Sequence, residues 1–259
     1  MKKVAIITGA GSGIGKEFVK QIVSGDIDEI WAVGRNIDKL NELKDEYGDK
    51  IIPLRSDISN EEGLGIIKDA LGEQKPDVVM LVNNAGTAYF GKFEDMSADS
   101  AKGLVDIICK APSILFHMVI PYMKQGARIL NISSASSFQP NPYLAMYAAS
   151  KVYLKNFSRA LNQELKPRKI TVTAVCPGWV DTDMLKNENG ERTVKFPGMV
   201  TAEKVVAKAL KDSSKGKDIS MSSLYNSYLR FYSKVTPHKI VMKQWIFAIR
   251  KYIDVSDKK

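Results

Sequence analysis

The sequence predicts an α/β fold with a doubly wound parallel sheet and helices on both of its faces. Short β-branched runs alternate with amphipathic stretches along the chain, a pattern that gives right-handed β-α-β crossovers. The first run ends in a glycine-rich segment directly before a helical stretch. No repeat or linker appears before residue 222, so we expect one domain over 1–222 and an extension over 223–259.

Each element follows from a local pattern in chain order. Short apolar runs predict strands, and apolar residues three and four apart predict helices; Leu40 and Leu43 mark such an inner face. The expected strands are Val4–Thr8, Glu29–Val33, Ile51–Ser56, Val78–Asn83, Arg128–Ser133, Thr171–Cys176 and Ile219–Met221. The expected helices are Ile14–Val23, Asp38–Tyr47, Glu61–Leu71, about Ser97–Met123, Met146–Leu165 and Ala202–Lys211.

Composition excludes several classes of protein. The 259 residues are 44% hydrophobic and 26% charged, which is unlike a collagen, a disordered chain or a disulfide scaffold. Cys109 and Cys176 share no metal-binding spacing with each other or with a histidine, so we expect reduced thiols and no metal. The first apolar run ends at Ile7, too early for a signal peptide, and no stretch approaches the ~18 apolar residues of a membrane span. We expect a cytoplasmic protein.

The glycine-rich segment reads Thr8-Gly9-Ala10-Gly11-Ser12-Gly13-Ile14-Gly15. Glycine is needed where the backbone turns with φ > 0 and where a pyrophosphate approaches main-chain N–H groups at a helix N-terminus. A turn that binds no ligand is the alternative, but it does not require four glycines in seven positions. The segment therefore predicts a dinucleotide site.

Further motifs follow in order, and together they resemble the short-chain dehydrogenase/reductase family, which has a Rossmann-type fold. Each motif alone is weakly specific, whereas their order is specific. The motifs are TGxxxGxG at Thr8–Gly15, Asn83-Asn84-Ala85-Gly86, Ser134 thirteen residues before Tyr147, the Tyr147-x-x-x-Lys151 pair, and Pro177-Gly178-Trp179-Val180-Asp181-Thr182.

This resemblance implies an NAD(P)-dependent oxidoreductase acting on CH–OH or carbonyl groups. It assigns Tyr147 to proton transfer, Ser134 to a hydrogen bond with the substrate oxygen, and Lys151 to the cofactor ribose. Lys151 lies one helical turn after Tyr147, and a nearby ammonium lowers the pKa of a phenol. The implied cofactor contacts are Gly9, Gly11, Ser12, Gly13, Ile14, Gly15, Arg35, Asp57, Ile58, Asn83, Ala85, Gly86, Tyr147, Lys151, Pro177, Gly178, Val180 and Thr182.

One residue departs from the family pattern. The family usually has an asparagine on the central helix where the segment Asp106–Pro112 places Ile108. That asparagine holds a helix kink and a water chain that resupplies the tyrosine's proton. Isoleucine cannot hydrogen-bond, so the proton relay is left open, with a backbone carbonyl as the alternative holder of the water.

The end of the second strand distinguishes the two nicotinamide cofactors. An NAD-preferring site places a carboxylate there, but this chain has Gly34-Arg35-Asn36. The Arg35 guanidinium is suited to a 2′-phosphate, so we expect NADP(H) to be preferred over NAD(H). Ser12 supports this less, because NADP-dependent relatives often carry a cation at that position. A solvated loop cation is the alternative role for Arg35.

Apolar residues flank the expected site and predict a hydrophobic ketone, aldehyde or secondary alcohol, such as a steroid-like or acyl compound. The alternative is that they only pack a substrate lid over about 183–215. They are Phe138, Tyr143, Leu144, Met146, Trp179, Met184, Leu185, Phe196 and Met199.

Most of the net charge of +9 lies toward the C-terminus: from residue 201 onward, thirteen Lys or Arg stand against five Asp or Glu. The body is therefore close to neutral, and nucleic acid is not an expected partner. Two amphipathic basic helices separated at Pro237 are predicted. Their apolar positions are Leu224, Tyr228, Phe231, Tyr232 and Val235, then Val241, Trp245, Ala248, Ile249 and Tyr252.

Three placements suit these helices: on an anionic membrane, against a partner subunit, or over the substrate mouth. We expect the apolar stripe to dock on the body or a sister subunit with the lysines outward, and weak membrane contact remains the alternative. The family resemblance implies a homodimer or homotetramer built through the central helices. The rival function is a non-catalytic dinucleotide-binding regulator or a membrane-associated scaffold with the same fold.

Overall fold

The computed structural model describes residues 1–182 and 196–250. Its strands are β1 Lys3–Thr8, β2 Glu29–Gly34, β3 Ile51–Arg55, β4 Asp77–Asn83, β5 Arg128–Ile132, β6 Thr171–Val175, β7 Val180–Asp181, β8 Val200–Thr201 and β9 Ile219–Ser220. Its α-helices are α1 Gly13–Ile22, α2 Ile37–Tyr47, α3 Glu61–Gln74, α4 Ala98–Val105, α5 Ala111–Val119, α6 Ala145–Glu164, α7 Ala202–Ser214, α8 Leu224–Val235 and α9 His238–Ile249. The seven predicted strands are all present, with ends within one residue of the prediction. The short pair β7–β8 was not predicted.

The main sheet has seven strands in the order β3-β2-β1-β4-β5-β6-β9, and every pair is parallel. The order reverses between β1 and β4, which makes a crevice at the carboxyl ends of these two strands. This topology confirms the predicted Rossmann-type doubly wound sheet. It also places the glycine-rich segment, which follows β1, in that crevice.

Alternate residues of the strands enter the cores on the two faces of the sheet. Ile7 of β1 packs in one core with Phe18 of α1 and Val206 of α7. Its neighbour Ile6 packs in the other core with Phe116 of α5. Because successive side chains of a strand point to opposite faces, a run of apolar residues in β1 serves both layers at once.

The central helix is interrupted where the family pattern was broken. Between α4 and α5, residues Asp106–Lys110 form a π-helical turn. Ile108 lies in this turn, is buried, and packs with Leu104 and Leu154. The helix irregularity is therefore present without the asparagine, since apolar packing fixes Ile108 instead.

This helical region also has the composition of a membrane span. Within the 25 residues Ala98–Tyr122 an 18-residue window has a mean hydropathy of 1.6, so the expectation that no segment approaches a span was too strict. However, Leu115, Phe116 and Val119 are buried in the core beneath the sheet. Burial in that core accounts for part of the apolar composition, since 39% of the window is buried.

The C-terminal extension forms the two expected helices, and their orientation differs from the prediction. On α9, Val241 and Ile249 are buried as expected. On α8 the apolar stripe does not dock on the body, and docking on a sister subunit stays a prediction. The buried residues are the polar Asn226 and Ser233, whereas the predicted apolar stripe, carried by Leu224, Tyr228, Phe231 and Val235, is exposed. Polar anchoring of Asn226 against the body, described below, sets this orientation in place of apolar burial.

Candidate active site

The glycine-rich segment forms an open cradle at the N-terminus of α1. Gly9 and Gly13 have φ of +65° and +52°, which residues with a side chain rarely adopt. A Cβ at Gly15 would overlap the Gly9 carbonyl oxygen, so the first turn of α1 packs directly on the loop. The Ser12 side chain makes no capping bond among the described residues, and N–H groups at a helix N-terminus are suited to binding an anion.

Hydrogen bonds with the segment directly after β4 hold the cradle in place. The Thr8 hydroxyl accepts hydrogen bonds from the backbone N–H groups of Asn84 at 2.9 Å and Ala85 at 3.1 Å. The Asn84 amide donates to the carbonyl oxygens of Thr8 at 3.0 Å and Gly9 at 3.2 Å. The NNAG motif therefore fixes the glycine loop, and the cradle fits a dinucleotide pyrophosphate.

Beyond the cradle, a cavity of about 470 Å³ lies at the ends of β2 and β3 and is lined by Arg35, Asp57 and Ile58. Burial alone would raise the pKa of Asp57, but hydrogen bonds from the Ser59 hydroxyl and N–H, together with the Arg35 charge, lower it. The Asp57 carboxylate is thus held ionised and in place.

A cation that the sequence reasoning missed lies beside the glycine-rich segment. A Cβ at Gly11 would lie 3.0 Å from the Cβ of Lys39, which is on the first turn of α2. The Asn36 side chain caps that helix by accepting from the N–H groups of Asp38 and Lys39. An N-cap asparagine three residues before a lysine was the available signal, since it places the lysine beside the glycine loop.

Ser134 follows β5 and lies on the wall of a second cavity of about 500 Å³. Its hydroxyl accepts a hydrogen bond from the Ser136 N–H at 3.1 Å, which leaves the hydroxyl proton to be donated. The backbone around it is tied to the Pro-Gly loop by the Ala135 N–H, which donates to the Pro177 carbonyl at 2.7 Å. The end of β5 and the loop after β6 are therefore positioned together.

Tyr147 and Lys151 reach the same cavity from α6. The Lys151 ammonium lies 5.4 Å from the centroid of the Tyr147 ring and donates a hydrogen bond of 2.7 Å to the Ile132 carbonyl. Lys151 is only 5% exposed, and burial lowers its pKa from 10.5 to about 8. The three predicted catalytic residues thus line one cavity, with the cation held next to the phenol ring.

Aromatic rings close the opposite side of this cavity. Trp179 of the Pro-Gly loop stacks on Phe196 with a centroid distance of 3.9 Å and on Trp245 of α9 at 6.2 Å. The Trp245 indole N–H donates to the Pro142 carbonyl at 2.8 Å, so α9 is bonded to the loop before α6. Of the three placements open to the extension, the structure shows the helices over the substrate mouth. The sequence did not single out Trp245 or α9 as part of this wall.

Most of the predicted cofactor residues line these two cavities; Gly11, Gly15 and Asn83 are not among the described lining residues. Asn83 is buried and its amide donates to the Asn131 side chain at 2.7 Å. Its neighbour Asn84 lines the cavity instead. A direct cofactor contact by Asn83 stays a prediction, and its visible contact joins β4 to β5.

The predicted substrate residues divide into three groups. Phe138, Leu144, Trp179 and Phe196 line the large cavity. Tyr143, Met146 and Met199 are not among its described lining residues. Met184, Leu185 and the first part of the predicted lid fall within 183–195, outside the described residues.

Comparison with known families identifies the protein family of this chain. The family model described as short chain dehydrogenase matches residues 3–193, well over half of the chain. The chain belongs to this family. It is a short-chain dehydrogenase/reductase, an NAD(P)-dependent oxidoreductase that acts on CH–OH or carbonyl groups.

Relatives of this short-chain dehydrogenase include both uncharacterised and inactive proteins. An uncharacterised oxidoreductase of Staphylococcus epidermidis is 28% identical over 207 residues, covering 79% of this chain and 90% of the relative. The human inactive hydroxysteroid dehydrogenase-like protein 1 is 34% identical over 195 residues, covering 71% of this chain and 58% of the relative. Relatives of this chain therefore include proteins whose names mark them as inactive.

Solved structures share the whole fold. A short-chain dehydrogenase from Sphingobium yanoikuyae in complex with NADPH superposes with a TM-score of 0.78 at 24% identity, covering 99% of this chain and 100% of that one. A 3-ketoacyl-(acyl-carrier-protein) reductase from Brucella melitensis complexed with NADH has a TM-score of 0.70 at 25% identity, covering 84% and 94%. Neighbours with either nicotinamide cofactor thus match the fold, which leaves the preference of this chain to its own residues.

Proposed function

We propose that this short-chain dehydrogenase interconverts a bulky hydrophobic ketone or aldehyde and its alcohol, with NADP(H) as the preferred cofactor. The observation that carries the proposal is a single cavity that is lined both by Ser134, Tyr147 and Lys151 and by stacked aromatic rings. Convergent polar groups fix the reacting oxygen, and the apolar wall binds the rest of the substrate.

Proton transfer is assigned to the Tyr147 hydroxyl. In reduction the phenol gives its proton to the carbonyl oxygen, and in oxidation the phenolate takes the alcohol proton. The Ser134 hydroxyl donates a hydrogen bond to the same oxygen and fixes the face presented for reaction. The nicotinamide, when bound, supplies or accepts the hydride.

Lys151 is assigned an electrostatic role. Its ammonium lies beside the Tyr147 ring and is buried, so its charge acts on the phenol with little screening by water. A positive charge favours the phenolate and lowers the pKa of the tyrosine toward neutrality. Since the pKa of Lys151 is itself about 8, this support fades when the solution becomes more alkaline than that value.

Two cations support the proposed preference for NADP(H). Gly34 offers no carboxylate to the adenosine ribose, and Arg35 lines the cavity there. Lys39 lies next to Gly11 of the glycine-rich segment. One charge-assisted contact with a 2′-phosphate contributes about 1.5–3 kcal/mol. NADPH is therefore expected to bind at least about tenfold more tightly than NADH, as measured by titration of each cofactor.

The rival function is a dinucleotide-binding regulator without turnover, and a relative whose name marks it as inactive gives this rival weight. The features that favour the enzyme are the intact Ser134, Tyr147 and Lys151 on one cavity wall. A regulator needs the cradle but has no need of a buried cation beside a phenol.

The test is oxidation of NADPH in the presence of ketones and aldehydes of increasing size. Tyr147→Phe keeps the ring and removes the transferable proton, so turnover is expected to fall about 100-fold or more while NADPH still binds. Tyr153→Phe is the matched control, because it removes a hydroxyl from the same helix at an exposed position where Tyr153 bonds Ser113. NADPH binding with no turnover on any carbonyl compound would favour the regulator, and full turnover in Tyr147→Phe would refute the assigned proton donor.

A further inference from the structure

The outward side of α8 carries a continuous apolar stripe. Leu224, Tyr228, Phe231 and Val235 are 90%, 59%, 63% and 60% exposed. Their spacing of three and four residues places them on one face of the helix, opposite the buried Asn226 and Ser233. Single exposed apolar residues are ordinary on a soluble protein, whereas a contiguous stripe marks a surface that contacts something else.

Specific contacts on the inner side hold α8 in this orientation. The Asn226 amide donates to the Ser222 hydroxyl at 3.0 Å and packs so closely on Gly178 that a Cβ there would overlap it. The Arg230 guanidinium lies 5.5 Å from the centroid of the Phe138 ring. Turning the helix to bury its apolar stripe would break these contacts, so the stripe is presented outward by the fold.

The next helix continues the same pattern. Ile240 and Phe247 of α9 are 47% and 72% exposed, on the side away from the buried Val241 and Ile249. Lys243 lies between them in the chain, one helical turn from each. The outer residues of both helices, here called the docking face, are Leu224, Tyr228, Phe231, Val235, Ile240 and Phe247.

We propose that the docking face binds the surface of an anionic lipid membrane. Exposed cations flank the apolar residues at Lys234, Lys239 and Lys243, and the sequence has no Asp or Glu from Leu224 to Arg250. An apolar helix face enters the boundary between headgroups and acyl chains, and basic residues beside it pair with anionic headgroups. Both requirements are met on the two helices that form the docking face.

A second copy of the chain fits this face less well. A two-fold interface places the same patch on both subunits, so the lysines of one docking face would oppose the lysines of the other. Like charges brought together at an interface oppose association. A membrane supplies the opposite charge instead. The inner residues of α8 and α9 line the large cavity; they include Leu229, Trp245 and Ile249. Membrane binding would therefore place lipid on the outer side of the helices that cover this cavity.

The experiment is co-sedimentation of the full chain with vesicles of phosphatidylcholine and phosphatidylserine, compared with vesicles of phosphatidylcholine alone. The wild type is expected to sediment with the anionic vesicles at low salt and to be released at high salt. Phe231→Gln with Phe247→Gln is expected to weaken binding about tenfold or more. Phe93→Gln is the matched control, since Phe93 is 61% exposed and lies outside the docking face.

Charge is tested separately with Lys239→Gln and Lys243→Gln, each expected to weaken binding about fivefold. Lys68→Gln, at an exposed position of α3, should bind as the wild type does. The altered residues are exposed, so every variant is expected to fold. Thermal melting of each variant checks this.

Three results would overturn the proposal. One is failure of the folded wild type to sediment with anionic vesicles at low salt. Another is undiminished sedimentation of the Phe231→Gln, Phe247→Gln variant, which would place the contact elsewhere on the chain. The third combines two observations: the wild type does not bind vesicles, and light scattering gives a different assembly mass for the Phe231→Gln, Phe247→Gln variant. This result would assign the docking face to a second copy.

Discussion

Replacing Lys151 with methionine should change how the stability of the protein depends on pH. In the folded chain burial holds the pKa of Lys151 at about 8, whereas in the unfolded chain it returns to its ordinary 10.5. Below pH 8 Lys151 is protonated in both states, and its buried charge destabilises the folded state. Between pH 8 and pH 10.5 the unfolded state binds more protons than the folded state. The free energy of unfolding of the wild type therefore rises with pH over this range.

The magnitude follows from the difference between the two pKa values. At about 1.4 kcal/mol for each pKa unit, the buried charge costs the wild type about 3 kcal/mol near pH 7. Near pH 9.5 the folded state has lost the proton and the unfolded state retains most of its own, so the cost falls to roughly 1.4 kcal/mol. The stability of the wild type relative to Lys151→Met should therefore rise by about 2 kcal/mol between these conditions.

The assay is urea unfolding of both proteins at the two pH values, without cofactor. Loss of the Lys151 hydrogen bond to the Ile132 carbonyl adds an offset to the variant, and that offset cancels when the two pH values are compared. Lys68→Met, at an exposed position, controls for removal of a lysine as such, and its difference from the wild type should stay constant. A difference between wild type and Lys151→Met that does not change with pH would refute the argument for a buried, charged lysine.

Two further substitutions test the cofactor site. Arg35→Ala should reduce the preference for NADPH over NADH by about tenfold or more in cofactor titrations, because it removes the charge-assisted contact proposed for the 2′-phosphate; an unchanged ratio would show that Arg35 remains in solvent. Gly15→Ala should abolish measurable NADPH binding, since its Cβ would overlap the Gly9 carbonyl oxygen, whereas Gly72→Ala on α3 meets nothing within 4 Å and should bind normally. Tight NADPH binding by Gly15→Ala would show that the cradle can open without losing its function.

The sheet and its crevice were predictable because their signals are local. Apolar runs define the strands, and the glycines between β1 and α1 are required by positive φ and by close packing on the Gly9 carbonyl. The chain-order motifs then placed Ser134, Tyr147 and Lys151 on elements that meet at the same edge of the sheet. Their convergence on one cavity is a consequence of parallel topology, which the alternation of elements predicts.

The features that were missed depend on contacts between distant segments. Helical periodicity identified the apolar side of α8 correctly, but periodicity does not show which side faces the body. Asn226 packing on Gly178 settles that question, and these two residues lie far apart in the sequence. The position of Lys39 beside Gly11 and the stacking of Trp245 on Trp179 arise in the same way.

The placement of the three tryptophans gives the protein a built-in optical probe. Trp31 is fully buried in the core and its indole N–H donates to the Glu29 carboxylate at 3.1 Å. Trp179 and Trp245 both line the large cavity and stack on each other. A molecule that enters the cavity changes the surroundings of two emitting rings and leaves the third as an internal standard. Intrinsic fluorescence therefore reports occupancy of the cavity without a label and without turnover.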